Sequence, residues 1–190
     1  MGNLFAGLKT AKVSERGIFT NPGKYKVRVN KCIMKHVRKG YDAFICEFVV
    51  VESNYLEMRK LRTEGVNFTP EQLEALEKTL PNKPGTTSSW FQSLADKDIG
   101  FGALKGFAAA VTGSSPEDPT FVDEVENILS EAVNGTEEEI AEAKKTGRPP
   151  EGSLNGCLLP LETFIIKTKK DEDFTIYKFG QLIDETPAAN

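Results

Sequence analysis

The stretch from Gly23 to Gly40, "GKYKVRVNKCIMKHVRKG", constrains the fold of this chain more than any other. It begins with large apolar residues that alternate with cations, in the order Lys24, Tyr25, Lys26, Val27, Arg28, Val29. Because successive side chains of a β-strand point to opposite faces, this pattern predicts a strand with a buried apolar face and a basic outer face. The alternation slips near Asn30, where we expect a bulge, and the strand continues to about His36.

Four more strands are predicted further along the chain. A basic hairpin connection centred on Lys39 and Gly40 leads into "DAFICEFVVVES", which is rich in β-branched and aromatic residues. The segment "TTSSWFQSL" predicts a third strand. Two closing strands, at about 157–169 and 174–179, are joined by the charged turn "KKDED".

A helix is predicted between the third and fourth strands, in "DKDIGFGALKGFAAAVTG", with Gly113 as its C-terminal stop. The residues at core spacing are Ile99, Ala103, Leu104, Phe107 and Val111. Gly102 and Gly106 would each weaken an isolated helix by roughly 1 kcal/mol relative to Ala. We expect a close approach of this helix to the sheet to compensate for them.

Two insertions carry further helices. The first, about 54–85, holds a short helix with Thr69 as its N-cap and Gln72 at the capping-box position. The second, about 114–155, holds an acidic helix around 122–133 and another that begins at the capping box of Thr136.

The predicted domain organisation follows from these elements. Residues 1–22 have few large apolar residues and form an N-terminal arm. Residues 23–183 form a single domain that includes both insertions. Residues 184–190 form a short C-terminal tail.

Composition favours a soluble, cytoplasmic protein. The chain has 190 residues, of which 39% are hydrophobic and 27% charged, as is typical of one globular domain. No apolar run approaches the ~18–20 residues of a membrane span, and the N-terminus lacks the long apolar region of a secretion signal. We interpret Cys32, Cys46 and Cys157 as buried thiols, and with one histidine, His36, we expect neither a metal site nor a cofactor.

The sequence shows no catalytic constellation, so we do not expect an enzyme. Gly100, Gly102 and Gly106 do not have the GxGxxG spacing of a dinucleotide loop, and no P-loop motif occurs. The clustered carboxylates of the second insertion are typical of a solvated helix surface.

Charge is distributed unevenly along the chain. Residues 1–40 carry ten Lys and Arg against one Glu, a balance of +9, whereas residues 114–143 carry ten acids and no Lys or Arg. The chain as a whole has a net charge of -4. Such asymmetry is typical either of a surface that binds a polyanion or of two merely solvated surfaces.

The strand order, with a helix between the third and fourth strands, predicts a mainly β chain with helical insertions (α+β) and a five-stranded oligonucleotide-binding (OB) barrel. The chain resembles phage-type single-stranded DNA-binding proteins, which are decorated OB-folds that start with a Gly-x-Tyr strand. The resemblance covers 23–52, 90–113 and 157–179, with the phrases "GKYKVRV", "FVVVES" and "GALKGFAAAVTG". Many such proteins recruit partners through an acidic tail, whereas "DETPAAN" has two acids, so the segment 114–143 is the candidate for that role.

Nucleic-acid binding is also favoured by the residues themselves. A sequence-tolerant single-strand binder needs cations for the phosphates and aromatic faces for the bases. The predicted site residues are Lys24, Lys26, Arg28, Lys31, Lys35, Arg38, Lys39, Tyr41, Trp90, Lys167, Lys169, Lys170, Tyr177 and Lys178. The aromatic members could instead pack in the core, and one of Trp90 and Phe91 must face away from it if that segment is extended.

The sequence thus predicts sequence-tolerant binding of single-stranded DNA in replication or recombination. The resemblance implies a phage-encoded protein that acts in the host cytoplasm, with replication or recombination proteins as partners of the acidic segment. The alternative is an assembly protein whose basic and acidic faces pair between subunits.

Overall fold

The computed structural model describes residues 20–147, 150–168, 171 and 173–183. Its strands are β1 (Gly23–Val37), β2 (Tyr41–Ser53), β3 (Thr87–Ser93), β4 (Leu158–Lys167) and β5 (Asp173–Phe179). Its helices are α1 (Tyr55–Thr63), α2 (Pro70–Glu77), α3 (Lys97–Thr112), α4 (Pro119–Asn134) and α5 (Glu137–Thr146). Helices and strands take similar lengths of chain, so the fold is α+β rather than mainly β. The predicted helix between the third and fourth strands is α3.

The five strands form one antiparallel sheet in the order β3-β2-β1-β4-β5. The long strand β1 lies at the centre, paired with β2 on one side and, over its first half, with β4 on the other. The register of β1 against β2 shifts between Val29 and Lys31, which confirms the predicted bulge near Asn30. Beyond the bulge, Cys32 is buried, so the neighbouring residues Lys31 and Ile33 point to the outer face.

The sheet is not closed into a barrel. β3 and β5 are its two edge strands, and no ladder joins them in the part of the chain that is described. Helix α3 lies against both edges, and the rings of Trp90 in β3 and Phe179 in β5 have centroids 5.2 Å apart. Side chains therefore connect the two edges where the predicted barrel would have a fifth ladder.

The inner face of the sheet and α3 enclose an aromatic cluster. Its members are Phe44, Trp90, Phe107 and Phe179, whose ring centroids lie 4.9 to 5.7 Å apart. Each such pair contributes about 0.5–1.5 kcal/mol beyond its buried area. The cluster joins β2, β3, β5 and α3, so it positions both sheet edges relative to the helix.

Helix α3 has the predicted limits but not all of the predicted contacts. It ends at Gly113, whose φ of 71° is the left-handed conformation of a helix stop. Ile99, predicted to be in the core, is 68% exposed, because it lies on the side of the helix that lines an open cleft between β3 and β5. The close approach to the sheet occurs at Gly100, where a Cβ would lie 2.8 Å from the Ser93 carbonyl oxygen. The close approach expected at Gly102 and Gly106 is wrong, since a Cβ at either would meet nothing within 4 Å.

The insertions contain the predicted caps and one unpredicted helix. Both capping boxes, at Thr69 and Thr136, are present. Asn54 and Glu57 have the spacing of a capping box, a start signal for helix α1 that was not recognised in the sequence, but the Asn54 side chain accepts a hydrogen bond from the Lys24 N–H and makes no cap. Helix α1 is attached to α2 through Glu77, which accepts hydrogen bonds from the Tyr55 hydroxyl and from Arg59, at 2.5 and 2.7 Å.

The three cysteines are free thiols in different surroundings. Cys32 and Cys46 are buried and directly opposite each other on β1 and β2. Hydrogen bonding with Cys32, followed by burial, raises the pKa of Cys46 well above its usual value. Cys157 is only half-buried, because it precedes β4 in a loop, so the interpretation as a buried thiol is wrong for this residue.

The folded unit begins before β1. Thr20 is fully buried, and its hydroxyl lies 2.6 Å from that of Ser88 in β3. The Asn21 side chain donates to the backbone carbonyl oxygens of Lys78 and Leu80. The rest of the predicted arm, residues 1–19, and the predicted tail, 184–190, lie outside the described residues.

Candidate nucleic-acid interface

The outer face of β1, β2 and β3 carries an apolar row that crosses the three strands. Ile33 in β1 is directly opposite Ile45 in β2, which is directly opposite Phe91 in β3. The two isoleucines are half-buried, whereas the Phe91 ring is 49% exposed. This row, Ile33, Ile45 and Phe91, is called the Phe91 row below. It offers an aromatic surface on the side of the sheet that does not face the core.

Cations border the Phe91 row along β1. Lys31 and Lys35 lie two residues before and after Ile33, so all three side chains point to the same face. Lys31 forms an exposed ion pair with Glu47, with 3.4 Å between nitrogen and oxygen. Among the described residues, no carboxylate lies within 4 Å of the Lys35 ammonium. Lys35 is therefore the cation beside the row that is available for a phosphate.

The β1–β2 turn adds more positive charge at one end of this face. Arg38 and Lys39 are exposed in a tight turn that Gly40 closes, with φ of 84° and its N–H bonded to the Val37 carbonyl. Tyr41 is opposite Val37, on the same face as Lys35, and is half-buried. On the other face of this hairpin, His36 and Asp42 form a pair at 2.8 Å. The structure thus places Lys31 and Lys35 beside the Phe91 row, and Arg38, Lys39 and Tyr41 at the turn end of the same hairpin.

The first half of β1 is basic on the same face, but two of its three cations have local partners. Lys26 forms an ion pair with Glu52 at 3.1 Å, and Arg28 donates to the Gly156 carbonyl oxygen at 3.0 Å. Lys24 is directly opposite Glu162 of β4. Exposed ion pairs contribute only about 0–1 kcal/mol, so a phosphate could replace the carboxylates. This part of the predicted site is nevertheless less positive than its sequence indicates.

Trp90 is almost completely buried. It is 7% exposed, packs in the aromatic cluster, and lies opposite the buried Cys46. The prediction of Trp90 as a base-stacking residue is therefore wrong. Phe91 is the member of the pair that faces outwards, as the alternation requires of one of them. The sequence predicted that one of the two rings faces away from the core, but Trp90 was selected as the site residue instead of Phe91.

A cleft of about 900 Å³ separates the two edge strands, with α3 as its floor. Phe91 lies on the β3 side, and Phe164, Phe174, Tyr177 and Lys178 lie on the side of β4 and β5. Phe164 and Phe174 are 41% and 54% exposed, and the sequence analysis did not select them as site residues. Since Phe91 belongs to both surfaces, the cleft is continuous with the Phe91 row.

Of the site residues predicted in the β4–β5 hairpin, the structure describes Lys167, Tyr177 and Lys178, and they have different surroundings. Lys178 is exposed and opposite Glu162, and Lys167 forms ion pairs with Asp173 at 2.8 Å and Asp171 at 3.7 Å. Tyr177 is half-buried, and its burial raises its pKa, although hydrogen bonds with Thr20 oppose the rise. Lys169 and Lys170 lie outside the described residues.

The acidic helix α4 lies on the opposite side of the sheet from the Phe91 row. Its residues Leu129, Ala132 and Val133 pack against the core cluster formed by the inner face. The negative charges of α4 therefore do not cover the cations of the outer face. The acids of α4 and the outward-facing cations of β1 therefore lie on two sides of one domain.

Nothing in the described residues forms a candidate metal centre, since no group of three His, Cys, Asp or Glu side chains is placed to hold an ion. None of the described helices is long and apolar enough to cross a membrane. In comparisons with known proteins, no family model matches the chain, and no curated protein is significantly similar to it.

Proposed function

We propose that this protein binds single-stranded DNA without strong sequence preference, in replication or recombination. The observation that carries the proposal is the exposed Phe91 ring in a row bordered by Lys31 and Lys35 and continued by the basic turn at Arg38 and Lys39. Base stacking on an aromatic ring is tolerant of sequence, because every base has a π-face. Cations beside the ring follow the phosphates.

The strand order supports an OB-type fold. In an OB barrel the ligand lies on the face of strands two and three, between the loop after strand one and the loop after strand four. The order β3-β2-β1-β4-β5, with α3 after β3, is that of such a barrel opened between β3 and β5. The proposed path of the single-stranded DNA runs from the β1–β2 turn across Phe91 into the cleft beside Phe164 and Phe174.

The resemblance to phage-type single-stranded DNA-binding proteins rests on the same features. By that resemblance we propose a phage-encoded, non-catalytic protein that acts in the host cytoplasm.

An assembly protein is the second candidate, and one observation favours it. Because α4 and the basic outer face lie on opposite sides of the domain, copies could associate head to tail through opposite charges. Such an assembly would dissociate in salt and would not require DNA.

A fluorescence titration with oligo-dT at low and high salt, with a duplex of the same length as control, separates the two functions. The DNA-binding proposal predicts a preference for the single strand and an affinity that falls as salt rises. Equal or undetectable binding to both DNAs would contradict it. Light scattering on the same samples then shows whether salt-sensitive oligomers form without DNA, as the assembly alternative requires.

A further inference from the structure

The helical layer carries a second concave surface, on the inner side of the sheet. A groove of about 580 Å³ runs between α3 and α4. Phe101 and Leu104 of α3 form one wall, Leu129 and Val133 of α4 form the other, and Phe44 of β2 forms the floor. This surface is called the α3–α4 groove below.

The groove exists because the two helices pack closely at only one end. Near the turn that joins them, the small residues Ala108 and Ala109 pack against Phe121, and all three are buried. Towards the start of α3, the bulkier Phe101 and Leu104 take their place and face the end of α4. Larger side chains hold helices further apart, so the pair opens in that direction.

Large apolar side chains are exposed at the mouth of the groove. Phe101 is 54% exposed, and Met34, which lies at the end of the groove, is 47% exposed. Both lie outside the Phe91 row. Single exposed apolar residues are common, but two that adjoin an apolar groove are typical of a binding surface. A methionine at such a site adapts to different partner side chains.

The charges around the groove select the kind of partner. Helix α4 contains four acids and no Lys or Arg: Asp123, Glu124, Glu126 and Glu131. None of these acids forms an ion pair with a described residue. Glu126 lines the groove, and Lys105 lies on the facing wall. Of these four acids, Glu126 is the one that lines the groove, so the α4 wall carries a negative charge that favours a cationic group on the ligand, whereas the α3 wall carries the positive charge of Lys105.

We propose that the α3–α4 groove binds an amphipathic helix of a partner protein, with apolar anchors in the groove and Lys or Arg along the α4 side. The apolar wall of α4 extends from Val125 to Val133, which is about 12 Å or two helical turns. That length matches the spacing i, i+3 or i+4, and i+7 by which helices are recognised in grooves. The inference does not depend on DNA binding, because the groove and the Phe91 row are on opposite sides.

The test uses the full chain and a fluorescent model peptide of about 16 residues. The peptide has Leu at i, i+3, i+4 and i+7, Lys along one flank and Gln elsewhere; a second peptide has Glu in place of Lys. In fluorescence anisotropy, we expect the Lys peptide to bind and Phe101→Ser to weaken it about tenfold. Leu61→Ser, which removes a 62% exposed leucine from α1, is the matched control and should have no effect.

Charge-reversal variants test whether the Lys flank of the peptide lies along α4. They also distinguish binding in the groove from a general attraction of the peptide to an acidic protein. Glu126→Lys should weaken the Lys peptide and strengthen the Glu peptide, whereas Glu138→Lys on α5 should change neither. Equal effects of the two lysine variants would overturn the proposal, as would equal binding by the wild type and Phe101→Ser. If Phe101→Ser is unstable, Met34→Ser in β1 replaces it in the test. This variant should also weaken binding of the Lys peptide. Oligo-dT affinity should stay the same in all of these variants, so failure of one proposal leaves the other intact.

Discussion

Trp90 and Phe91 are neighbours in β3, and their rings lie on opposite faces of the sheet. Trp90 is opposite Cys46 and packs in the aromatic cluster, while Phe91 is opposite Ile45 and is half exposed. The two rings therefore have different consequences for the protein. One stabilises the fold, and the other is available to a ligand.

Removal of either ring distinguishes these roles. Phe91→Ala should weaken oligo-dT binding by about 1–3 kcal/mol, because one stacking surface is lost, and should leave the melting temperature nearly unchanged. Trp90→Ala should lower the free energy of unfolding by about 3–5 kcal/mol, because it leaves a cavity among three other rings. Titration and urea unfolding of both variants measure the two effects. A stable Phe91→Ala variant with full DNA affinity would remove Phe91 from the site.

The difference between these residues explains how much of the site could be predicted from the sequence. Alternation predicts that one of two adjacent residues faces out, but the choice depends on which residue of β2 each one pairs with. That register pairs β2 with β3 across the insertion that holds α1 and α2, so it is a long-range property that local alternation does not determine. The same applies to Lys26 and Lys31, whose neutralising partners Glu52 and Glu47 are adjacent only in the folded sheet.

The salt dependence of DNA binding should identify which cations contact phosphates. Replacing Lys35, Arg38 and Lys39 with Ala should reduce the slope of log K against log salt by about two units, since each phosphate contact on a single strand contributes ~0.7. The matched triple variant at Lys24, Lys26 and Arg28 should reduce it less, because Lys26 and Arg28 already have local partners. Titrations at four salt concentrations give the slopes. If the second triple variant has the larger effect, the DNA lies along the first half of β1.

Glycine positions in α3 test the close contact between helix and sheet. Gly100→Ala should destabilise the protein, because its Cβ would lie 2.7 Å from a Leu94 methyl and 2.8 Å from the Ser93 carbonyl oxygen. Gly102→Ala meets nothing within 4 Å and should stabilise it by up to about 1 kcal/mol, through helix propensity. Thermal unfolding of the two variants measures the difference. Equal changes would show that α3 does not approach the sheet at Gly100.

These glycines also mark the limit of sequence reasoning about α3. The helix, its cap residues and its stop at Gly113 follow from local signals. Which glycine touches the sheet depends on how the helix is rotated about its axis, and Trp90 and Phe179 determine that rotation by packing on Phe107. Helix α1 has no capping hydrogen bond from Asn54, so it depends on tertiary contacts such as that between Arg59 and Glu77.

Glu77 should make stability depend on pH in the acid range. Hydrogen bonds from Tyr55 and Arg59, with Lys83 nearby, lower the pKa of Glu77 from 4.5 to about 2. A lowered folded-state pKa gives stability that is present above the unfolded value and is lost as the pH falls through the folded one. The stability difference between wild type and Glu77→Gln should therefore be largest near pH 7 and shrink below pH ~4.5. Urea unfolding at pH 7, 4 and 3 measures it, with Glu74→Gln, at an exposed ion pair with Lys78, as the control.

The acidic helix α4 should not regulate DNA binding by shielding the basic face. Close pairs of exposed charges interact by only about 1 kcal/mol in water, and salt screens them beyond ~8 Å at physiological ionic strength. Shielding thus requires direct contact, whereas α4 packs on the inner side of the sheet, away from Lys35 and Phe91. Changing Glu124, Glu126 and Glu131 together to Gln should alter oligo-dT affinity less than about twofold at physiological salt. The same variant should lose much of its affinity for the Lys peptide of the α3–α4 groove test. Tighter DNA binding at low salt, with the gain lost as salt rises, would show instead that α4 competes with DNA for the cations.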